Sequence, residues 1–203
     1  MKALLLTCGR SEGAFAQMAR VSGVAARIMP VDIYSLDTQP LEEFSALLIG
    51  MHVDQRFLAA RGRRLDQFLE RGNTVTISGQ IAHPFLRGLA PFQPLRDYRV
   101  PDLMVRREAA HPVWDGVVED ELTFRRGVAG FYGRGWHQPP EGATVIHSIG
   151  ADRHPVDFVY RVGAGRVLFH GGNDLWQYAG ATDTTGRIVP QLLDWLFPKE
   201  MQS

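Results

Sequence analysis

The sequence predicts an α/β fold in which a doubly wound, mainly parallel sheet carries antiparallel additions in its second half. Three observations support this prediction. In residues 1–78, near-continuous apolar runs of strand length alternate with amphipathic helical patterns. Beyond Pro84 the pattern changes to short alternating segments, with many prolines and aromatic residues. The 203 residues have the length of a single domain, residues 1–203, with no repeat and no linker.

The first half supplies four predicted strands and two predicted helices. The strands cover Lys2–Cys8, Ile28–Tyr34, Ser45–Met51 and Thr74–Ser78. One helix covers Ala14–Gly23, and the other has Leu58, Leu65, Phe68 and Leu69 on one face and stops at Gly72. Because strands and helices alternate, right-handed crossovers would place these strands parallel in one sheet.

The second half supplies shorter strands and a final helix. Glu121–Phe124 and Ala143–Ser148 are predicted antiparallel additions. Asp157–Arg161 and Gly165–His170 are predicted to form a hairpin whose second strand returns to the main sheet. The last helix has Ile188, Leu192, Leu193 and Leu196 on one face, with Asp183, Thr184 or Thr185 as N-cap and Pro190 in its first turn.

Charge and composition exclude several classes of function. Lys+Arg and Asp+Glu both number 22, so the formal net charge is zero and nucleic acid is not an expected partner. The single cysteine excludes an internal disulfide framework and a cysteine-rich zinc site, and it suits a reducing compartment. Because no apolar run approaches about 18 residues, we expect no membrane association and a cytoplasmic location.

The segment Asn73–Phe85 has the layout of a strand, a sharp turn and a helix start. Val75 and Ile77 suit a buried strand, and the small residues Ser78 and Gly79 allow the chain to turn tightly. In hydrolases and amidotransferases such a turn projects a Ser or Cys nucleophile. Gln80 stands at the apex here, and an amide cannot attack an acyl carbon.

These residues carry a resemblance. Ser78–His83 resembles the Gly-x-Cys-x-Gly-His elbow of class I glutamine amidotransferases, with Gln80 in place of the Cys. Gly165–His170 resembles the strand that delivers the Phe-His-Pro-Glu of that family, although the Glu is missing after His170. Among branches without the nucleophile, ThuA-like proteins are the most similar. They share a His-Pro-x-x-x-Gly segment, here His111–Gly116, and a late Gly-Arg-Val strand followed by an Asp and a Trp.

The resemblance implies a flavodoxin-like α/β domain without glutaminase activity that binds or transforms a small polar metabolite. ThuA-like proteins are associated with carbohydrate utilisation, which points to a carbohydrate-related metabolite. If the protein is an enzyme, His170 would be the general base, Asp174 its orienting carboxylate and Gln80 a substrate hydrogen-bonding group. Alternatively, Asp174 caps the turn at residues 171–172 and His170 is a hydrogen-bonded core residue. No cofactor and no metal are expected.

Further candidates follow from the rule that ligands of open parallel sheets bind beyond the carboxyl ends of the strands. The candidate substrate-binding residues are Gln80, His83, His52, Asn173, Trp176 and Trp136. His52 and Asp54 lie close enough in sequence to suggest two metal ligands, but structural polar contacts are the expectation there. Trp136 belongs to Gly127–Pro140, where four glycines interleave with aromatic residues, a pattern typical of a lid that stacks on a sugar.

Two other functions remain open. Thr7, Gly9, Ser11 and Gly13 precede a predicted helix, so their hydroxyls and backbone N–H groups could bind the phosphate of a flavin, as in flavodoxin-like proteins. Alternatively, the aromatic segment Gly127–Pro140 packs against a subunit partner, and the chain is a non-catalytic interaction domain. We expect a homo-oligomer.

Overall fold

The computed structural model describes residues 1–9, 13, 16, 18–20 and 26–197. Its strands are β1 (Ala3–Thr7), β2 (Ile28–Asp32), β3 (Ala46–Ile49), β4 (Thr74–Ser78), β5 (Gln93–Pro94), β6 (Val105–Arg107), β7 (Phe124–Arg125), β8 (Val128–Ala129), β9 (Gly135–Trp136), β10 (Thr144–Ile149), β11 (His154–Val162) and β12 (Gly165–His170). Its α-helices are α1 (Gln55–Ala59), α2 (Gly62–Glu70), α3 (Glu119–Thr123) and α4 (Ile188–Leu196). None of the described helices has the length and apolar character needed to cross a bilayer.

The main sheet has the strand order β2-β1-β3-β4-β12-β11-β10-β6. From β2 to β12 the neighbouring strands are parallel, and β11, β10 and β6 extend the sheet with antiparallel pairs. The flavodoxin-like, mainly parallel fold with antiparallel additions is therefore confirmed. The two short pairs β5-β9 and β7-β8 lie outside this sheet.

Both faces of the sheet are covered, because side chains along each strand alternate between two apolar clusters. Leu4 and Leu6 of β1 pack in the cluster that contains Leu65 and Phe68 of α2. Leu5 points the other way, into the cluster that contains the buried face of α4. Burial on both faces explains why the strands are near-continuous apolar runs in the sequence.

Several predicted elements have the predicted bounds or nearly so. Thr74–Ser78 and Gly165–His170 are strands with those ends, and Ala143–Ser148 corresponds to β10. Pro190 is the third residue of α4, where its missing N–H removes no helical hydrogen bond. Asp183 caps a 3-10 turn, Thr184–Arg187, that leads directly into this helix.

Three predicted elements differ from the structure. The helix that was to stop at Gly72 is two helices, α1 and α2, because the backbone of Arg61 between them is not helical. The predicted strand Glu121–Phe124 is wrong, since Glu119–Thr123 is α3. Three acidic residues in its first turn stabilise the positive end of the helix dipole. Most of the predicted helix Ala14–Gly23 lies outside the described residues.

Candidate functional site

The elbow after β4 depends on Gly79. This residue has φ +115°, and a Cβ atom there would lie 2.5 Å from the Cβ atom of Met51. Glycine is needed both for the backbone conformation and for the close approach of the turn after β3. The elbow therefore brings the ends of β3 and β4 together.

The helix predicted to start after this elbow does not form. The side-chain oxygen of Gln55 accepts hydrogen bonds from the backbone N–H groups of Ala82, at 2.7 Å, and His83, at 3.0 Å. Pro84 also disfavours the helical conformation of the residue before it. The segment that follows the elbow is irregular, and it leaves Gln80 exposed.

A crevice of about 250 Å³ lies at the carboxyl ends of these strands. Its walls are Met51 after β3, Gln80 after β4, residues 171–173 after β12, and residues 130–134 from the glycine-rich segment. A second cavity of about 160 Å³ shares Phe131 and Asn173 with it. The crevice stands where the topology of an open parallel sheet predicts a ligand site.

Beneath this crevice, three polar side chains form a row across β12, β11 and β10. The strand register places Asp157 opposite His170 on one side and opposite His147 on the other. The Nδ1 atom of His170 lies 2.5 Å from Asp157 Oδ1, and the Nδ1 atom of His147 lies 2.8 Å from Asp157 Oδ2. The hydroxyl of Tyr132 also donates to Oδ2, and all four side chains are buried.

The carboxylate of Asp157 is ionised inside the core. Burial acts to raise the pKa of Asp157, but attraction to His170 and hydrogen bonds from both imidazoles hold this pKa well below its usual range. Because the carboxylate accepts from Nδ1 of each histidine, the Nδ1 proton is fixed on both rings. The Nε2 atoms of His147 and His170 have no hydrogen-bond partner among the described residues.

His170 is separated from the crevice by Gly172. A Cβ atom on Gly172 would lie 2.8 Å from His170 Nε2 and 2.0 Å from the carbonyl oxygen of Tyr132. Only glycine fits between these groups, and Gly172 itself lines the crevice. The imidazole that the sequence singled out therefore lies directly behind the floor of the crevice.

The predicted hydrogen-bonded pair of His170 and Asp174 is not formed. The carboxylate at Nδ1 of His170 comes from Asp157, whereas Asp174 Oδ1 accepts the backbone N–H of Met51 at 2.8 Å. Burial raises the pKa of Asp174, and the hydrogen bond from Met51 opposes this rise. Asp174 thus ties the turn after β12 to the turn after β3.

The other candidate residues divide into two groups. Gln80 and Asn173 line the crevice. His83, His52, Trp176 and Trp136 do not line it. His83 accepts a hydrogen bond from Arg56, and Trp136 stacks on His154 with ring centres 5.4 Å apart. Trp176 is buried in the core, and His52 is exposed.

Sequence reasoning missed Asp157, although the predicted hairpin contained the signal. Pairing Val162 with Gly165 across the turn sets a register in which Asp157 faces His170. It also missed His137, whose Nε2 accepts the backbone N–H of Ile81 at 3.0 Å. Burial lowers the pKa of His137 to about 4, so this ring is neutral at physiological pH.

Metal and phosphate sites were also considered at the sequence level. In the described part of the chain no group of three or more His, Cys, Asp or Glu side chains is placed to hold a metal ion. Asp54 is the N-cap of α1, accepting the N–H of Phe57 at 3.0 Å, which is a structural contact. Residues 10–12 of the predicted phosphate loop lie outside the described residues, so that loop stays a prediction.

A larger cavity, about 690 Å³, lies at the opposite edge of the sheet near the start of β12. Its arginines already have partners. Arg107 is paired with Glu119, and Arg166 donates to Thr74 and to the carbonyl of Trp195. This cavity has none of the strand-end turns that form ligand sites in open sheets.

Comparisons with known proteins support the fold alone. A scan against protein-family models finds no match, and a search of curated proteins finds none. Among solved structures, the chain is similar to the cytoplasmic protein STM3548 from Salmonella typhimurium, with 12% identity and a TM-score of 0.59 over 95% of this chain and 98% of that chain.

Two further structures have known or assigned activities. A protein from Thermoplasma acidophilum that is described as a putative GMP synthase is 11% identical, with a TM-score of 0.55 over 96% of both chains. A β-galactosidase from Rahnella sp. R3 is 13% identical, with a TM-score of 0.58 over 96% of this chain but 31% of that chain. The same fold thus occurs in proteins with different functions.

Proposed function

We propose that this protein binds a small polar, carbohydrate-related metabolite in the crevice at the carboxyl ends of β3, β4 and β12. The observation that carries the proposal is the convergence of three strand-end turns on one cavity with two amide side chains, Gln80 and Asn173, in its wall. Amides both donate and accept hydrogen bonds, as the hydroxyl groups of a sugar require. The exposed ring of Phe131 adds an apolar surface of the kind on which a sugar face can stack.

We also propose that the protein is an amidotransferase-like, ThuA-like protein without glutaminase activity. The support is the elbow, where Gln80 stands at the position of the nucleophile and is followed by no helix. A side-chain amide cannot form the covalent intermediate on which glutamine hydrolysis depends. Glutamine incubated with the protein should release no ammonia, and ammonia release above that of a heat-denatured sample would contradict this proposal.

A thermal-shift screen with neutral sugars and sugar derivatives tests the binding proposal. A ligand at about 100 times its dissociation constant stabilises by roughly 2.7 kcal/mol, which moves the midpoint of a chain this size by about 5–10 °C. We expect Gln80→Ala and Asn173→Ala to lose the shift. Gln138→Ala is the matched control, since Gln138 is an exposed amide outside the crevice. A shift that is equal in all three variants would contradict the proposal.

A second candidate function is catalysis with His170 as general base. It is supported by the Asp157 carboxylate at Nδ1 and by the lack of a partner at Nε2, the arrangement that makes an imidazole basic and oriented. Access to substrate would require displacement of Gly172. Asp174 would act as a positioning residue, by holding Met51 at the crevice wall. With a bound ligand as substrate, His170→Ala should abolish turnover and keep binding, and unchanged turnover would remove His170 from the reaction.

Location and assembly are also proposals. We propose a cytoplasmic protein, supported by one exposed cysteine without a disulfide and by the similarity to a Salmonella protein described as cytoplasmic. We propose a homo-oligomer, supported by Phe124 and Val128 on the β7-β8 hairpin, which are 39% and 50% exposed. Light scattering after size-exclusion chromatography should give more than the monomer mass of 22.7 kDa. A monomer at micromolar concentration would contradict the homo-oligomer.

A further inference from the structure

We infer that the crevice selects an anionic metabolite, a carboxylate or a phosphate ester, through the guanidinium groups of Arg125, Arg126 and Arg134. The inference rests on the proposed binding function and names the chemical class of its ligand. Arg134 borders the cavity of about 250 Å³, and Arg125 and Arg126 border the adjoining cavity of about 160 Å³. Phe131 and Asn173 belong to both cavities, so the three cations face one continuous space.

The charge around this space is unbalanced. None of the residues that line either cavity is Asp or Glu. Within the described ranges, no carboxylate oxygen lies within 4.0 Å of the guanidinium groups of Arg125, Arg126 or Arg134. The whole chain has zero formal net charge, so this local excess is not a general property of its surface. Uncompensated cations in a concave site attract an anionic ligand.

Arg125 is held in place by neutral partners. Its Nη1 donates to Gln177 Oε1 at 3.2 Å, and its Nη2 donates to the backbone oxygen of Gln177 at 2.8 Å. The guanidinium also lies 4.5 Å from the ring centre of Tyr178. A guanidinium ordered in this way keeps its full charge and loses little side-chain entropy when an oxyanion binds.

Arg126 occupies a backbone position that does not suit an arginine. Arg126 and Gly127 are the two residues between β7 and β8, and both have positive φ, +52° and +76°. Two such residues form a type I′ turn, for which Asn-Gly is the preferred sequence. The turn would therefore be more stable with Asn at position 126, so the arginine is explained by its side chain and not by the turn.

The arrangement orients the ligand. The anionic group is placed at Arg125 and Arg126, and a polar body extends past Asn173 toward Gln80 and Arg134. Asp174 follows Asn173 in sequence, but it is buried and its carboxylate accepts the N–H of Met51. It therefore does not offset the positive charge at the surface of the crevice.

Calorimetric titration of the full chain with glucose, gluconate, glucose 6-phosphate and inorganic phosphate tests the inference. We expect gluconate or glucose 6-phosphate to bind at least tenfold more tightly than glucose, and binding to weaken as salt is raised. A preference for gluconate identifies a carboxylate, and a preference for glucose 6-phosphate identifies a phosphate ester. Binding of glucose with no gain from either charged group would overturn the inference and leave the proposed function standing. No binding of any of the four probes would overturn both.

Variants separate the role of the charge from folding. Arg126→Asn should lose about tenfold or more in affinity for the anion while its thermal midpoint stays equal or rises, because Asn suits the turn. Arg134→Gln should lose a similar factor. Arg153→Asn is the matched control, since Arg153 also has φ +52°, is exposed, and lines neither cavity. Equal anion affinity in Arg126→Asn, Arg134→Gln and the wild type would overturn the assignment, as would an equal loss in Arg153→Asn.

Discussion

Replacement of Asp157 by Asn should destabilise the protein strongly, although the two side chains have nearly the same shape. In the wild type, Oδ1 accepts from His170, and Oδ2 accepts from His147 and from the Tyr132 hydroxyl. An amide offers only one acceptor oxygen, and its NH₂ group would face an imidazole N–H or the Tyr132 hydroxyl. The variant therefore loses the charge and also brings donors together in a site that contains no solvent.

The expected loss follows from the burial of the network. Removing one partner of a buried charged pair costs about 3–5 kcal/mol. For a chain of 203 residues, each kcal/mol moves the thermal midpoint by about 2–4 °C, so we expect Asp157→Asn to melt about 6–20 °C below the wild type. Urea denaturation followed by circular dichroism measures the free energy of unfolding directly.

The pH dependence adds a second test. The pKa of Asp157 in the folded state lies below its unfolded value of about 3.9, so its stabilising contribution is fully present above that pH and is lost as the pH falls through the folded pKa. The difference between wild type and Asp157→Asn should close in acid. Asp152→Asn is the control, because Asp152 is 86% exposed and lies 3.8 Å from His154, and it should melt as the wild type does. A difference below about 1 kcal/mol near neutral pH would refute the reasoning.

Three other perturbations are predicted. The pKa of His137 is lowered to about 4, so the unfolded chain binds more protons between about pH 6.5 and 4; stability should fall by about 3 kcal/mol across that range, and urea melts of His137→Gln should lose this slope. Gly79→Ala should cost about 3 kcal/mol or more, whereas Gly142→Ala, with φ +75° but open space around it, should cost about 1 kcal/mol; equal thermal midpoints would contradict the steric argument. Tyr132→Phe removes one of the hydrogen bonds to Asp157 and should cost about 1–2 kcal/mol, and a urea midpoint as low as that of Asp157→Asn would contradict the ranking.

Much of the fold was readable from local patterns. Strands β4 and β12 have the predicted bounds because each is an apolar run that the sheet buries on both faces. The short segment Glu121–Phe124 was predicted wrongly, because a few alternating residues do not outweigh helix-favouring acidic residues at its start. Short segments carry too few side chains for periodicity to separate a strand from a helical turn.

The candidate site was only partly readable. The sequence singled out His170, Gln80 and Asn173 because they follow strands of a parallel sheet, and the hairpin register contained the pairing of His170 with Asp157. It also singled out Trp176 for the crevice, whereas that side chain is buried in the core. Position after a strand fixes the edge of the sheet at which a residue lies, but not the direction of its side chain.

The sequence by itself determined the class of fold, the edge of the sheet where a ligand site forms, and the absence of a nucleophile at the elbow. These properties follow from hydrophobic periodicity, chain direction and side-chain chemistry, which are local. The tertiary structure alone decided that Asp174 binds Met51, 123 residues away, and that Arg125, Arg126 and Arg134 face a space shared with Asn173. Such contacts depend on how separate segments pack, and no periodic pattern within a single segment records that packing.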